Sequence, residues 1–158
     1  MSHSGSSKKK ILIANGVNLD LLGTRQPDVY GGQSLKDLEQ FLCQNSDRLR
    51  KSFPVDFSLE FFQSNDEAVF LTKIGEPWDG AVINPAAWTH TSLALGDRLA
   101  ATKLPFVEVH LSHLSKREDF RQKSFSAPHA LGVVYGLGFD SYLSGLLGLL
   151  RFFEGRAT

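Results

Sequence analysis

The sequence predicts an α/β fold: a doubly wound, five-stranded parallel sheet in the order 2-1-3-4-5, with helices on both faces. Three observations carry this reading. Five short apolar or β-branched runs recur along 158 residues. Each is followed by a segment that reads as helical, giving a strict β/α alternation with no internal repeat. Such alternation requires crossover connections, and these join parallel strands whose faces are both covered.

Ile11-Leu12-Ile13-Ala14 is the first strand. Residues 15–32 form a long connection, rich in glycine yet carrying Leu19, Leu21, Leu22 and Tyr30, which suits a functional loop better than plain disorder. Ser34 and Asp37 form a capping pair for a helix whose Leu35, Leu38, Leu42, Leu49 and Phe53 share one face, ended by Pro54. Val55 to Phe62 alternates as strand two. Ser64 to Glu67 supplies a cap and acidic first turn for a helix closed near Gly75. Gly80 to Asn84 is strand three, and Thr89 to Thr102 a helix. Pro105 to His110 is strand four, and Lys116 to Lys123 a short charged helix. Gly132 to Gly136 is strand five, and Asp140 to Glu154 the last helix.

Residues 1–8 read as a disordered tail and 9–158 as one domain. Lys+Arg and Asp+Glu both number 17, and this balance argues against a nucleic-acid or anionic-membrane protein. The single Cys43 excludes an intramolecular disulfide and a zinc-thiolate cluster and fits a cytoplasmic location. No run approaches the roughly 18 apolar residues of a membrane span, and the N-terminus lacks the apolar stretch of a signal peptide.

In this fold, ligands bind past the carboxyl ends of the strands. There the chain places Asn15, Asn18, Arg25 and Tyr30, then Gln63 to Asn65, then Asn84, Thr89 and His90, then His110, Ser112 and His113, with Arg117 and Arg121 following. Helix capping accounts for Ser34 and Ser64, but not for the histidines, Tyr30 and the arginines together. N-G-V-N after strand one is no phosphate loop, which tells against a nucleotide or flavin module. His90 and His110 lack a third metal ligand at sensible spacing, and the carboxylates are too few for an oxygen-liganded metal. Acid–base work on an oxygen-rich anion remains, with arginines for the negative charge.

These residues also carry a resemblance. N-G-V-N-L-D-L-L-G-T-R-Q-P-D-V-Y-G (Asn15 to Gly31), Q-S-N-D-E (Gln63 to Glu67), I-N-P-A-A-W-T-H-T-S (Ile83 to Ser92), V-E-V-H-L-S (Val107 to Ser112), R-E-D-F-R (Arg117 to Arg121) and G-L-G (Gly136 to Gly138) stand in order over residues 10 to about 150. Together they resemble the type II 3-dehydroquinate dehydratases. The resemblance implies a flavodoxin-like fold, a homododecamer of four trimers, and cofactor-free dehydration of 3-dehydroquinate to 3-dehydroshikimate in shikimate biosynthesis or quinate breakdown.

It also implies roles. Tyr30 matches the base, acting as tyrosinate, with Arg25 and Arg117 supplying the positive charge that favours the phenolate. Asn18 matches the residue that stabilises the enolate, directly or through water. His110 matches the general acid, and Glu108, two residues earlier on one strand face, orients its imidazole. Asn84, His90 and Arg121 match groups that hold substrate hydroxyls. Leu111 and Ser112 match the carboxylate site, and Asp97 an acid contributed by a neighbouring subunit. No metal ligand is implied. The chain departs from the usual family pattern at Val17, Asp20, Asp66, Ala86 (usually Gly), Gly96 (usually Arg) and His113. The alternative reading on this fold is a non-catalytic relative that binds a quinate-like ligand.

Overall fold

The computed structural model describes residues 7–24, 28 and 32–155. Five parallel strands form one sheet in the order β2-β1-β3-β4-β5. They are β1 (Lys9–Asn15), β2 (Phe57–Gln63), β3 (Gly80–Asn84), β4 (Phe106–His110) and β5 (Gly132–Tyr135). The parallel sense is the one the alternation predicts, and the order is that of the expected doubly wound fold. The helices are α1 (Leu35–Ser52), α2 (Glu67–Ile74), α3 (Trp88–Thr91), α4 (Leu93–Thr102) and α5 (Phe139–Phe153).

Strand side chains alternate between the two faces, and so the chain builds two cores. Ile11 and Ile13 of β1 join Val82, Val107 and Val109 against Leu38 and Leu42 of α1 and Leu146, Leu149 and Leu150 of α5. Leu12 and Ala14 join Ala81, Ile83 and Phe106 against Phe70 and Ile74 of α2 and Leu95 and Leu99 of α4. Both faces being covered, β3 and β4 are buried along their whole length and β1 from Ile11 to Asn15.

The Ser34–Asp37 capping box forms as expected: the Ser34 Oγ accepts from the Asp37 N–H, and the Asp37 carboxylate accepts from the Ser34 N–H at 2.7 Å. The α2 cap is Asp66, whose side chain accepts from the Val69 N–H at 3.0 Å, and not Ser64. The helix expected over Thr89 to Thr102 breaks at Ser92. Its N–H closes α3 onto the Trp88 carbonyl while its Oγ accepts from the Leu95 N–H and starts α4. A serine at such a junction offers the backbone a local partner that competes with a continuous helix. The helix expected over Lys116 to Lys123 is absent. Single 3₁₀ turns, Leu114–Lys116 and Asp119–Arg121, flank extended Arg117 and Glu118. The stretch has no apolar face to bury, and its Phe120 is 70% exposed, so nothing favours a regular helix there.

The first six residues of the expected tail, and Arg25 and Tyr30 of the long loop, lie outside the described residues. The described start of that loop is tied to the sheet. The Gly16 N–H donates to the Asn84 carbonyl at 2.8 Å, and a Cβ at Gly16 would stand 2.5 Å from the Pro85 carbonyl oxygen. Only glycine fits this close approach of the loops after β1 and β3.

Candidate active site

A cavity of about 580 Å³ opens past the carboxyl ends of β1, β3 and β4. Of the residues expected there, Asn18, Asn84, His90, His110, Leu111, Ser112, Arg117 and Arg121 line it. Asp97 does not: it is exposed on α4 and is absent from the lining. Leu19 and Leu22 add apolar wall, and Lys116, expected at the start of a short charged helix, adds a cation beside Arg117.

A buried histidine–carboxylate pair lies at the end of β4. His110 Nε2 donates to Glu108 Oε1 at 2.7 Å, with both side chains buried. Thr89 Oγ1 donates to the same oxygen at 2.7 Å, and Ser126 Oγ donates to Oε2 at 2.6 Å. Ser124 Oγ backs Thr89 at 2.7 Å. Burial opposes a charge on Glu108. The His110 hydrogen bond and charge, followed by the Ser126 and Thr89 hydroxyls, outweigh it and hold the carboxyl below its ordinary pKa. An ionised carboxylate only accepts, so His110 Nε2 carries a hydrogen and Nδ1 is the ring nitrogen left to exchange a proton.

His90 is set differently. Its Nδ1–H donates to the Lys123 carbonyl at 2.7 Å, which leaves Nε2 as an acceptor. Burial, with the nearby His110 and Arg121 charges, pushes its pKa down despite that bond, so His90 stays neutral. The Phe125 N–H donates to the Thr89 carbonyl at 2.8 Å. One short stretch, residues 123–126, therefore holds both His90 and the Glu108–His110 pair. Thr89 stands at the rim in the sequence with no role to mark it, and Ser124 and Ser126 carry no signal there at all. Their partners lie 16 to 37 residues away, and no local pattern marks them.

Asn18 adopts a left-handed backbone (φ 65°), which asparagine tolerates. Its N–H donates to Asn65 Oδ1 at 2.8 Å, and Gln63 Nε2 donates to the same oxygen at 3.0 Å. The Q-S-N motif thus fixes the loop that carries Asn18. Ala86 also keeps a left-handed backbone (φ 53°). The chain retains here a conformation suited to glycine and bears the strain of a Cβ. Arg121 Nε pairs with Glu118 Oε2 at 3.1 Å across one 3₁₀ turn, which steadies the guanidinium at the cavity edge. Among the described residues, no group of three or more His, Cys, Asp or Glu side chains could hold a metal ion.

The site therefore combines an imidazole held by a buried carboxylate, a second imidazole with a free acceptor nitrogen, amides and a cationic wall on the rim of a 2-1-3-4-5 sheet. The sequence profile described as Dehydroquinase class II matches residues 9–150. The chain belongs to the class II dehydroquinase family. It is 46% identical over 145 residues to the 3-dehydroquinate dehydratase of Geotalea daltonii, covering 90% of this chain and 96% of that protein. It is 46% identical over 142 residues to that of Dinoroseobacter shibae, covering 88% and 91%. Among solved structures, the type II dehydroquinase of Butyrivibrio crossotus superposes with a TM-score of 0.82 at 33% identity, covering 92% of this chain and 99% of that one. The Propionibacterium acnes enzyme gives 0.81 at 35% identity, covering 91% and 97%. Membership of the class II dehydroquinases accounts for the motif order noted in the sequence.

Proposed function

We propose that this chain is a type II 3-dehydroquinate dehydratase, a hydro-lyase that eliminates water from 3-dehydroquinate to give 3-dehydroshikimate. The observation that carries the reading is the buried Glu108–His110 pair opening onto a cavity walled by Arg117 and Arg121. Elimination needs a base beside a ketone, a partner for the resulting enolate and an acid for the departing hydroxyl. Tyr30, aided by Arg25 and Arg117, takes the proton. Asn18 stabilises the enolate oxygen. His110 gives a proton to the hydroxyl as it leaves, and Glu108 offsets the positive charge of its ring. Neutral His90 accepts from a substrate hydroxyl, while Asn84 and Arg121 hold others. Ser112, with the Leu111 and Ser112 backbone, receives the carboxylate.

In this reading one catalytic domain, residues 9–158, works in the cytoplasm without metal or organic cofactor. It serves shikimate biosynthesis or quinate breakdown as a homododecamer of four trimers. Asp97, exposed and outside its own chain's cavity, serves a neighbouring subunit's site. No helix is long and apolar enough to cross a membrane among the described residues.

Adding 3-dehydroquinate to the purified protein tests this directly, since the conjugated enone product absorbs where the substrate does not. The expected result is turnover in the presence of a metal chelator, abolished in folded Tyr30→Phe and in folded His110→Ala. Ligand-induced thermal stabilisation without turnover in the unmodified chain would replace the enzyme by a binding protein.

A further inference from the structure

Tyr142 is fully buried on α5, yet its hydroxyl is fully used. It donates to Asn15 Oδ1 at 2.6 Å and accepts from Asn84 Nδ2 at 2.8 Å. Asn15 and Asn84 are register partners at the carboxyl ends of β1 and β3. Their carbonyls are fixed by the Ser64 and Gly16 N–H groups. Asn84 Oδ1 accepts from the Ala86 N–H at 3.0 Å. Burial pushes the phenol's pKa up, so its hydrogen stays in place at any working pH.

These contacts decide which way round the Asn84 amide sits. A flipped amide would face its NH₂ to the Ala86 N–H, donor against donor. It would also face its oxygen to a phenol whose only hydrogen is committed to Asn15. In the observed orientation one Nδ2 hydrogen is spent on Tyr142, and the second has no partner among the described residues. Asn84 lines the cavity. A phenylalanine ring would fill the same apolar space, so packing alone does not account for the hydroxyl. We infer that Tyr142 is a positioning residue: its phenol, which lies behind the cavity wall, locks Asn84 so that the ligand meets an N–H donor and not an oxygen. This rests on the dehydratase reading only for the choice of assay.

The test pairs kinetics with amide exchange. Tyr142→Phe is expected to raise KM for 3-dehydroquinate about tenfold with kcat within about twofold, the pattern of a lost uniform binding interaction. Tyr142→Phe added to Asn84→Ala is expected to change KM no further, because both remove one interaction. In the unmodified protein, an Asn84 side-chain N–H should exchange slowly with solvent by NMR, and Tyr142→Phe should make it fast. A wild-type KM with unchanged exchange in Tyr142→Phe overturns the inference, as does additivity in the double variant. Should Tyr142→Phe fail to fold, Asn15→Ala, which frees the phenol hydrogen, must raise KM in the same direction by a smaller factor, and fast Asn84 exchange in the unmodified protein refutes the lock with no variant at all. If the unmodified chain turns over no 3-dehydroquinate, the dehydratase reading fails, and the exchange measurement still decides the role of Tyr142.

Discussion

Glu108 shows how a single buried charge is kept. Its two oxygens receive hydrogens from His110, Thr89 and Ser126. Its folded pKa lies below the ordinary value, so on acidification the unfolded chain binds the proton first. The stability gained from this pair is complete above the ordinary carboxyl pKa and is lost as pH falls through the lower, folded one. Glu108→Gln turns one acceptor into a donor that faces His110 or a hydroxyl. It is expected to lower stability at pH 7 by ~1–3 kcal/mol and to flatten the acid side of the stability profile. Urea unfolding of both proteins from pH 3 to pH 8 measures this, and parallel profiles would show that Glu108 is not the titrating group. The Glu108–His110 spacing was legible because two residues apart on a strand share a face. The hydroxyls that hold Glu108 were not, since tertiary folding alone brings them there.

Along helix α5, small residues decide how closely the helix and the sheet meet. A Cβ at Gly145 would lie 2.8 Å from Val109 Cγ1 and 3.4 Å from both Val107 Cγ1 and Val82 Cγ1. One turn on, a Cβ at Gly148 would meet nothing nearer than 3.9 Å. The two glycines look alike in the sequence, yet only the first is pressed so close to the sheet that a Cβ would clash. Gly145→Ala is expected to destabilise by ~1–3 kcal/mol through overpacking, and Gly148→Ala to stabilise by ~0.5–1 kcal/mol through helix propensity. Thermal or denaturant unfolding of the pair reads the contrast, and equal shifts would refute the packing argument. The elements themselves were largely legible, because apolar runs and helical spacing are local signals. The break at Ser92 and the 3₁₀ turns after β4 were not. There a side-chain cap and the lack of a buried face prevail over patterns that propensity alone leaves open.

Across the whole chain, the parallel sheet followed from the β/α alternation and its order from the choice of a doubly wound fold, whereas Tyr142 reaches Asn15 across 127 residues that no sequence window spans. The placement of Asp97 away from its own cavity makes assembly testable as part of function. If each site takes His110 from one chain and Asp97 from the next, Asp97→Ala and His110→Ala proteins are each inactive alone. Unfolded together in equal amounts and refolded, they should recover roughly a quarter of wild-type activity, since random cyclic assembly leaves that share of sites intact. No recovery despite mixed oligomers would place Asp97 outside the neighbouring site.

The stretch from Lys123 to Ser126 gives one imidazole its hydrogen-bond acceptor through a backbone carbonyl and, through a hydroxyl, steadies the carboxylate that serves the other. The two rings are thus mechanically yoked: a substitution that pries this strap from the α3 turn would loosen both in one stroke, and neither ring can be retuned by reshaping the strap without disturbing its twin.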